Sequence, residues 1–179
     1  NNHTATAENK YCDPTPFYEV ILNANDILAN FDKMKVENKM LASDYGPRYS
    51  DVMAIRSWTY LQLGIQFGTV PYITNPLTNI EDLSNPALYS EKTLSELIIQ
   101  LIADMKSAPT LEENTLSSFY GQTIQNNSKS FYLNMQFINK HILMGDLYLW
   151  NNQYVESATE YKAYMDAADA NSSKTNIKN

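Results

Sequence analysis

The sequence contains few of the residues that build reactive centres. Its 179 residues include one cysteine and two histidines. A lone thiol gives no disulfide framework and no paired-cysteine metal site, and the sequence has no glycine-rich phosphate-binding loop. We therefore expect no catalytic residue, no bound metal and no cofactor, and the chain does not have the sequence of an enzyme.

Glycine and positive charge are also scarce. The five glycines favour helices over a turn-rich β fold. Thirteen Lys and Arg against 20 Asp and Glu give a net charge of -7, which disfavours nucleic acid and anionic membrane faces as partners. No run approaches the ~18 consecutive apolar residues of a membrane span. The chain as a whole is 44% apolar and 18% charged, which is the composition of a globular domain.

Apolar residues recur at helical spacing in five segments, which predicts a single all-α domain over residues 1–179. We expect about five main helices, arranged as TPR-like antiparallel hairpins, and one long loop at residues 109–129. A loop of that length in a compact domain is usually functional or mobile. The predicted helices span about residues 16–34, 50–67, 94–108, 130–150 and 154–168.

Local signals mark several helix ends. Pro16 suits the first helical position, with Thr15 as the cap before it. The second helix is expected to begin at Ser50 and to stop at Gly68, after which residues 70–73 should be extended. The third helix is expected to follow a capping box that begins at Thr93.

The last two helices carry a partial TPR pattern over residues 130–168. Only a few residues separate them, with a tight break at residues 151–152, and so short a connection forces a helical hairpin. Gly145 stands where two helices approach closely, and Tyr148, Tyr154 and Tyr161 follow at the spacing of the repeat, in which a bulky side chain of one helix fills the gap left by the small residue of the other. Ser157 replaces the alanine that the repeat usually has.

A more specific pattern covers the second helix and the turn after it. The stretch DVMAIRSWTYLQLGIQFGTVPYIT contains Ala-x-Arg-x-Trp-x-Tyr-x-x-Leu, followed by Phe-Gly-x-Val-Pro. This pattern resembles the SusD/RagB family of Bacteroidetes, and the likeness extends in the family's order over roughly residues 11–168. The matching residues are Ala54, Arg56, Trp58, Tyr60, Leu63, Phe67, Gly68, Val70 and Pro71.

The resemblance implies a lipoprotein exposed on the cell outer membrane. Members of the family bind oligosaccharides or polysaccharides and sit as a lid on a SusC-type TonB-dependent transporter, and their TPR-like helices mainly act as a scaffold. The lipobox cysteine and the family's terminal regions are absent from this chain. We therefore expect a fragment, attached to the membrane only through a lipid anchor outside it. The alternative is a structural TPR-like module that binds a protein partner.

The family takes its sugar contacts mainly from loops. Exposed rings stack on the C–H faces of sugars, and amide groups bond their hydroxyls. The candidate glycan contacts are therefore Tyr11, before the first helix, and Phe119 and Tyr120 beside Gln122 in the long loop. Each could instead be an ordinary loop anchor.

Other chemically interesting side chains have plainer interpretations. Trp58 and Trp150 lie at helix positions that suit the core or a hairpin joint, and of these we expect core packing. His141 lies on the fourth helix without a metal-ligand partner at helical spacing, so a structural histidine is expected. His3 lies in a polar tail, and Cys12 has no base nearby in the sequence that would make it a nucleophile.

Overall fold

The computed structural model describes residues 12–76, 89–112, 123–126, 129–132 and 137–172. These residues form five α-helices and two antiparallel two-stranded sheets, so the predicted all-α class with about five helices is confirmed. Within these ranges, none of the helices has both the length and the apolar character needed to cross a bilayer. The elements are α1 (Thr15–Val36), α2 (Ala42–Phe67), β1 (Val70–Tyr72), β2 (Ser90–Lys92), α3 (Leu94–Lys106), β3 (Thr123–Asn126), β4 (Lys129–Tyr132), α4 (Lys140–Trp150) and α5 (Tyr154–Ser172).

Helix α2 is the centre of the fold. It contacts α1, α3, α4 and β1, as expected for a helix that is apolar on nearly every side. Gly64 lets α3 approach closely, because a Cβ there would lie 2.7 Å from Leu97 Cδ2. The largest apolar side chains of the core come from four helices and are Ile21, Tyr60, Leu61, Leu63, Leu97, Leu101, Met105, Leu143, Met144 and Leu147.

The predicted cap of α1 is wrong by one residue. Thr15 is the first helical residue, and Pro14 occupies the cap position without a side-chain hydrogen bond. The Thr15 N–H donates to Asp13 Oδ1 at 2.9 Å, so an acid just outside the helix satisfies one of the amides that its first turn leaves open. Pro16 remains in the first turn, where its missing N–H costs no helical bond.

The predicted start of α2 at Ser50 is also wrong, because the helix begins well before it and includes Pro47. A proline disfavours helix in the residue before it, partly by a clash with that residue's Cβ, and here that residue is Gly46, which has none. Packing holds the extra turns: Tyr45 is buried, and its hydroxyl donates to Asp32 of α1 at 2.7 Å. Tertiary contacts therefore outweigh the local break.

The end of α2 and the start of α3 follow the prediction. Gly68 has φ 81°, a positive value that glycine adopts without a steric cost, and it ends the helix. The chain then extends as β1, which pairs with β2 so that Val70 lies opposite Lys92. Thr93 and Glu96 form the expected capping box at the start of α3.

The predicted start of the fourth helix at Ser130 is wrong, because that residue lies in β4. This strand pairs with β3, which lies in the segment predicted as loop, and Ile124 is opposite Phe131. β-Branched and aromatic residues favour strands, and only two residues separate β3 from β4, as in tight hairpins. Helix α4 starts later, where the Asn139 side chain caps it.

A buried ion pair joins α4 to α2. Lys140 Nζ lies 2.5 Å from Asp51 Oδ1, and both side chains are almost fully buried. Each charge requires the other there, since a single uncompensated charge in the interior is strongly destabilising. The pair therefore fixes the first turn of α4 against α2.

Helices α4 and α5 form the predicted antiparallel hairpin. The Tyr161 ring fills the space beside Gly145, since a Cβ on that glycine would lie 2.6 Å from Tyr161 Cδ1. Ser157 Oγ donates to the Gly145 carbonyl at 2.8 Å, and the Tyr161 hydroxyl donates to Asp146 Oδ1 at 2.6 Å. The serine at the usual alanine position thus adds a buried hydrogen bond between the helices.

Replacing Gly145 with alanine is expected to lower the free energy of unfolding by about 1–3 kcal/mol, because the new methyl group overlaps the Tyr161 ring. The same substitution in a Tyr161→Ala background is the matched control, because removal of the ring leaves space for the new methyl group. The loss should disappear there, since alanine is otherwise favoured over glycine in a helix by about 0.5–1 kcal/mol. Urea unfolding followed by circular dichroism measures the substitution in both backgrounds, and equal losses in the two would contradict a close approach at Gly145.

Candidate functional site

Arg56 of α2 is the centre of a buried polar network. The residue is 8% exposed. Its Nη1 donates to Asn25 Oδ1 of α1 at 3.0 Å, and its Nη2 lies 3.9 Å from Asp104 Oδ2 of α3. One guanidinium group therefore joins three helices. We use the name Arg56 network for Tyr18, Asn25, Arg56, Tyr60, Tyr72 and Asp104.

The same network holds the chain that leaves α2. Asn25 Nδ2 donates to the Ile73 carbonyl at 3.0 Å. The Tyr60 hydroxyl donates to that carbonyl at 2.9 Å and accepts from the Ile73 N–H at 2.6 Å. The Tyr18 hydroxyl donates to the Pro71 carbonyl at 2.9 Å. Side chains from α1 and α2 thus supply hydrogen bonds that backbone groups need when they leave water.

Asp104 connects α3 to this arrangement. The Tyr72 hydroxyl donates to its Oδ2, the oxygen that also faces Arg56. Gln100 Nε2 donates to its Oδ1 at 2.9 Å. A carboxylate that accepts bonds on both oxygens compensates the buried guanidinium, which would otherwise carry a desolvation cost of several kcal/mol by order of magnitude.

Burial changes the acidity of the network's tyrosines. It raises the pKa of Tyr18 to about 12, with a further contribution from the negative charge of Glu91. Burial raises the pKa of Tyr60 well above its ordinary value. Burial, and then the hydrogen bond to Asp104, does the same to the pKa of Tyr72. These hydroxyls therefore stay neutral at physiological pH and act as hydrogen-bond donors.

The Arg56 network has a structural role, and we call it a lock because it fixes the helices and the β1 segment to one another. Its charged and hydroxyl groups bond to one another and to the backbone, and a phenol with a raised pKa is a poor nucleophile. In the part of the chain that the structure describes, no cluster of three or more His, Cys, Asp or Glu residues could hold a metal ion. What the arrangement can do chemically is to position α1, α2, α3 and the β1 segment.

The predicted core position of the two tryptophans is wrong. Trp58 is 41% exposed and Trp150 is 47% exposed. Trp58 lies with the exposed Ile65 on a face of α2 that the described helices leave open, because α1, α3 and α4 take the other sides. Trp150 is the last residue of α4, beyond the packed part of the hairpin. The sequence of a helix that is apolar all round does not reveal which face stays open.

The glycan contacts predicted from the sequence lie outside the described residues. The structure does not describe the positions of Tyr11, Phe119, Tyr120 and Gln122. Their role in sugar binding stays a prediction.

The reactive residues of the described chain have structural surroundings. His141 Nδ1 lies 2.7 Å from Glu160 Oε2 of α5, across the hairpin, as expected for a structural histidine. Cys12 is partly exposed just before α1. His3 lies outside the described ranges.

Replacing Arg56 with methionine, which keeps an unbranched apolar stem and removes the charge, is expected to lower the free energy of unfolding by about 3–5 kcal/mol. The reason is that Asp104 would keep a buried charge without its cation. The neighbouring Ser57→Ala is the control, because the Ser57 hydroxyl is buried and finds no hydrogen-bond partner among the described residues. That change should be neutral or slightly stabilising. Denaturant unfolding of both variants tests the prediction, and a loss below about 1 kcal/mol for Arg56→Met would refute the lock.

Raised tyrosine pKa values predict loss of stability at alkaline pH. A group whose pKa is higher in the folded state contributes stability that is complete below its unfolded value, about 10 for tyrosine, and is lost as the pH rises through the folded value. The free energy of unfolding should therefore fall between about pH 10 and pH 12. Tyr60→Phe should flatten this dependence, although it lowers stability at neutral pH. Urea unfolding across this range measures both slopes, and identical slopes would count against the raised pKa of Tyr60.

Comparison with known proteins adds no relative of this chain. No family model, no curated protein and no solved structure matches it.

Proposed function

We propose that this chain is the helical scaffold part of a cell-surface glycan-binding protein of the SusD/RagB type. The protein would capture an oligosaccharide or polysaccharide at the outer membrane, where a lipid anchor outside this chain holds it. It would then pass the glycan to a SusC-type TonB-dependent transporter. No bond of the sugar is broken in this process, so the protein is a binding subunit and not an enzyme.

One observation carries this proposal: three residues of the SusD/RagB-like pattern take part in one structural unit. Arg56 and Tyr60 belong to the Arg56 network, and Pro71 supplies a carbonyl that the network binds. Gly68, with φ 81°, makes the turn between them, and Val70 is buried. Residues that build one structural unit are what a shared fold would require.

The shape of the hairpin also supports capture by binding. Side-chain bonds join α4 to α5 at three levels, through Ser157, Tyr161 and His141. A rigid support lowers the entropy lost when a surface residue holds a ligand. Several weak contacts on such a support give a useful affinity for a polymer, since its repeated units bind in turn.

A structural TPR-like module that binds a protein partner is the second candidate. Val20, Ile27 and Met34 are exposed on α1 at seven-residue intervals. Such spacing places apolar side chains along one seam of a helix, where a partner helix could pack. This observation favours a protein ligand and says nothing about sugar.

Glycan binding separates the two candidates. The full-length protein that contains this chain should be retarded in native gels cast with at least one polysaccharide and should release no reducing ends from it. It should also co-purify with an outer-membrane transporter. The absence of any retardation across plant, host and microbial glycans would overturn the proposal. A stable complex with another protein and no response to sugar would favour the second candidate, and release of sugar would contradict a purely binding role.

A further inference from the structure

We infer that the turn between α4 and α5 is a binding site for neutral polysaccharide. The site, called here the hairpin-tip site, consists of residues 149–156. This inference rests on the proposed function and deepens it, because it names a place on the molecule and a class of glycan. Neither the SusD/RagB-like pattern nor the glycan contacts predicted from the sequence include this turn as a sugar site.

Two aromatic residues flank the turn and face solvent. Trp150 ends α4 and is 47% exposed, and Tyr154 begins α5 and is 63% exposed. The Tyr154 hydroxyl donates to Asn152 Oδ1 at 3.0 Å, which restrains the ring. Large aromatic residues favour the interior or a partner, so two exposed rings at one turn indicate a contact surface. Flat rings are the side chains on which the C–H faces of a pyranose stack.

In the sequence, the two aromatic residues are separated by three residues with amide side chains, Asn151, Asn152 and Gln153. Asn151 Nδ2 donates to Gln153 Oε1 at 2.6 Å, and Gln153 Nε2 donates to Glu156 Oε1 at 3.5 Å. Each amide has two donor hydrogens and an oxygen with two lone pairs, so these bonds use only part of its capacity. The remaining donors and acceptors can bond sugar hydroxyls, which both donate and accept.

The backbone of the turn is fixed before any ligand binds. Asn152 has φ 59°, a left-handed conformation that asparagine tolerates better than most residues. The Gln153 N–H donates to the Tyr148 carbonyl at 2.9 Å, and the Ser157 N–H donates to the Gln153 carbonyl at 2.9 Å. The aromatic and amide side chains therefore start from a preorganised support, which reduces the entropy lost on binding.

Charge decides between classes of glycan. Glu156 is the only charged residue from 149 to 157. Beyond the turn, Asp146 and Glu160 are acidic, and the nearest lysine along α5, Lys162, pairs with Asp166 at 2.7 Å. Lys140, the other lysine of the hairpin, is buried against α2 in its ion pair with Asp51. Lys106 of α3 lies over the Tyr148 ring, 5.5 Å from its centroid. The acids Asp146, Glu156 and Glu160 outnumber this one cation among the described residues around the turn, and a net negative surface repels uronate and sulfate groups, so the site fits a neutral chain.

Exposure decides between a polymer and a small sugar. Leu149 and Val155, beside the two rings, are also exposed. Ligand sites that enclose a small molecule are concave and bury most of its surface. An open surface like this one contacts only one side of a sugar, so each contact is weak, and a polymer gains by presenting many units. The site therefore suits internal residues of a polysaccharide.

The test uses the full-length protein in native gels that contain either neutral or anionic polysaccharides. The neutral probes are soluble glucan, mannan and xylan, and the anionic probes are polygalacturonate, alginate and chondroitin sulfate. At least one neutral polymer should retard the protein, and no anionic polymer should. Trp150→Ala combined with Tyr154→Ala should weaken binding about tenfold or more, the size expected when aromatic contacts are removed.

Trp58→Ala is the matched control, because Trp58 has a similar exposed fraction, 41%, on a different helix. It should leave binding within about twofold of the original protein, as expected for a residue outside the contact. A second variant, Glu156→Lys, should allow retardation by an anionic polymer, since it replaces the acid of the turn with a cation. Circular dichroism confirms that each variant stays folded.

The outcomes separate the two proposals. Neutral binding that survives the double substitution overturns the hairpin-tip site and leaves the proposed function intact. Anionic binding that depends on Trp150 and Tyr154 overturns the assignment to neutral glycans. Failure to bind any glycan overturns both proposals. Burial of this turn under another part of the full-length protein, seen as protection of Trp150 from collisional fluorescence quenching, also overturns the site.

Discussion

The buried guanidinium group of Arg56 is the constraint on which the helical core depends. A cation in the interior is stable only with an opposite charge and with hydrogen bonds that replace water. Asn25 on α1 and Asp104 on α3 meet this requirement, and both must therefore lie beside the same point of α2. Because Asn25 also binds the Ile73 carbonyl, the chain that leaves α2 is fixed by the same groups. One charge thus determines where three helices and the β1 segment lie.

The hairpin of α4 and α5 is a second structural unit with different physics. Close contact at Gly145, and not a buried charge, sets the distance between its helices. The Lys140–Asp51 ion pair and shared apolar packing join this unit to α2. A scaffold of this kind presents its turn at a fixed position. This is why the exposed rings at the hairpin tip, rather than the buried network, carry the proposal for ligand binding.

The buried polar groups near Arg56 serve the structure. The buried tyrosines and acids near Arg56 bond to one another, and burial raises the pKa of the tyrosines away from the range useful for proton transfer. The groups proposed to bind a ligand are instead the exposed rings and neutral amides of the hairpin tip, which could hold a sugar by stacking and by hydrogen bonds.

The sequence by itself determined the features that depend on neighbours along the chain. The capping box at Thr93, the stop at Gly68 and the close contact at Gly145 each follow from a local pattern, and the structure confirms them. Tertiary structure decided the rest. Tyr45 packs against α1 and carries α2 through Pro47, and Phe131 joins a strand instead of a helix.

Neither the Arg56 network nor the exposure of the two tryptophans could be predicted from neighbouring residues in the sequence. The residues that bond Arg56 lie far from it in sequence, and no spacing rule connects Asn25 with Asp104. Trp58 and Trp150 are large aromatic residues of the kind expected in a core. They lie at the surface because the neighbouring helices pack on other faces. Periodicity shows that a helix has apolar faces, whereas only the arrangement of its neighbours decides which face meets water.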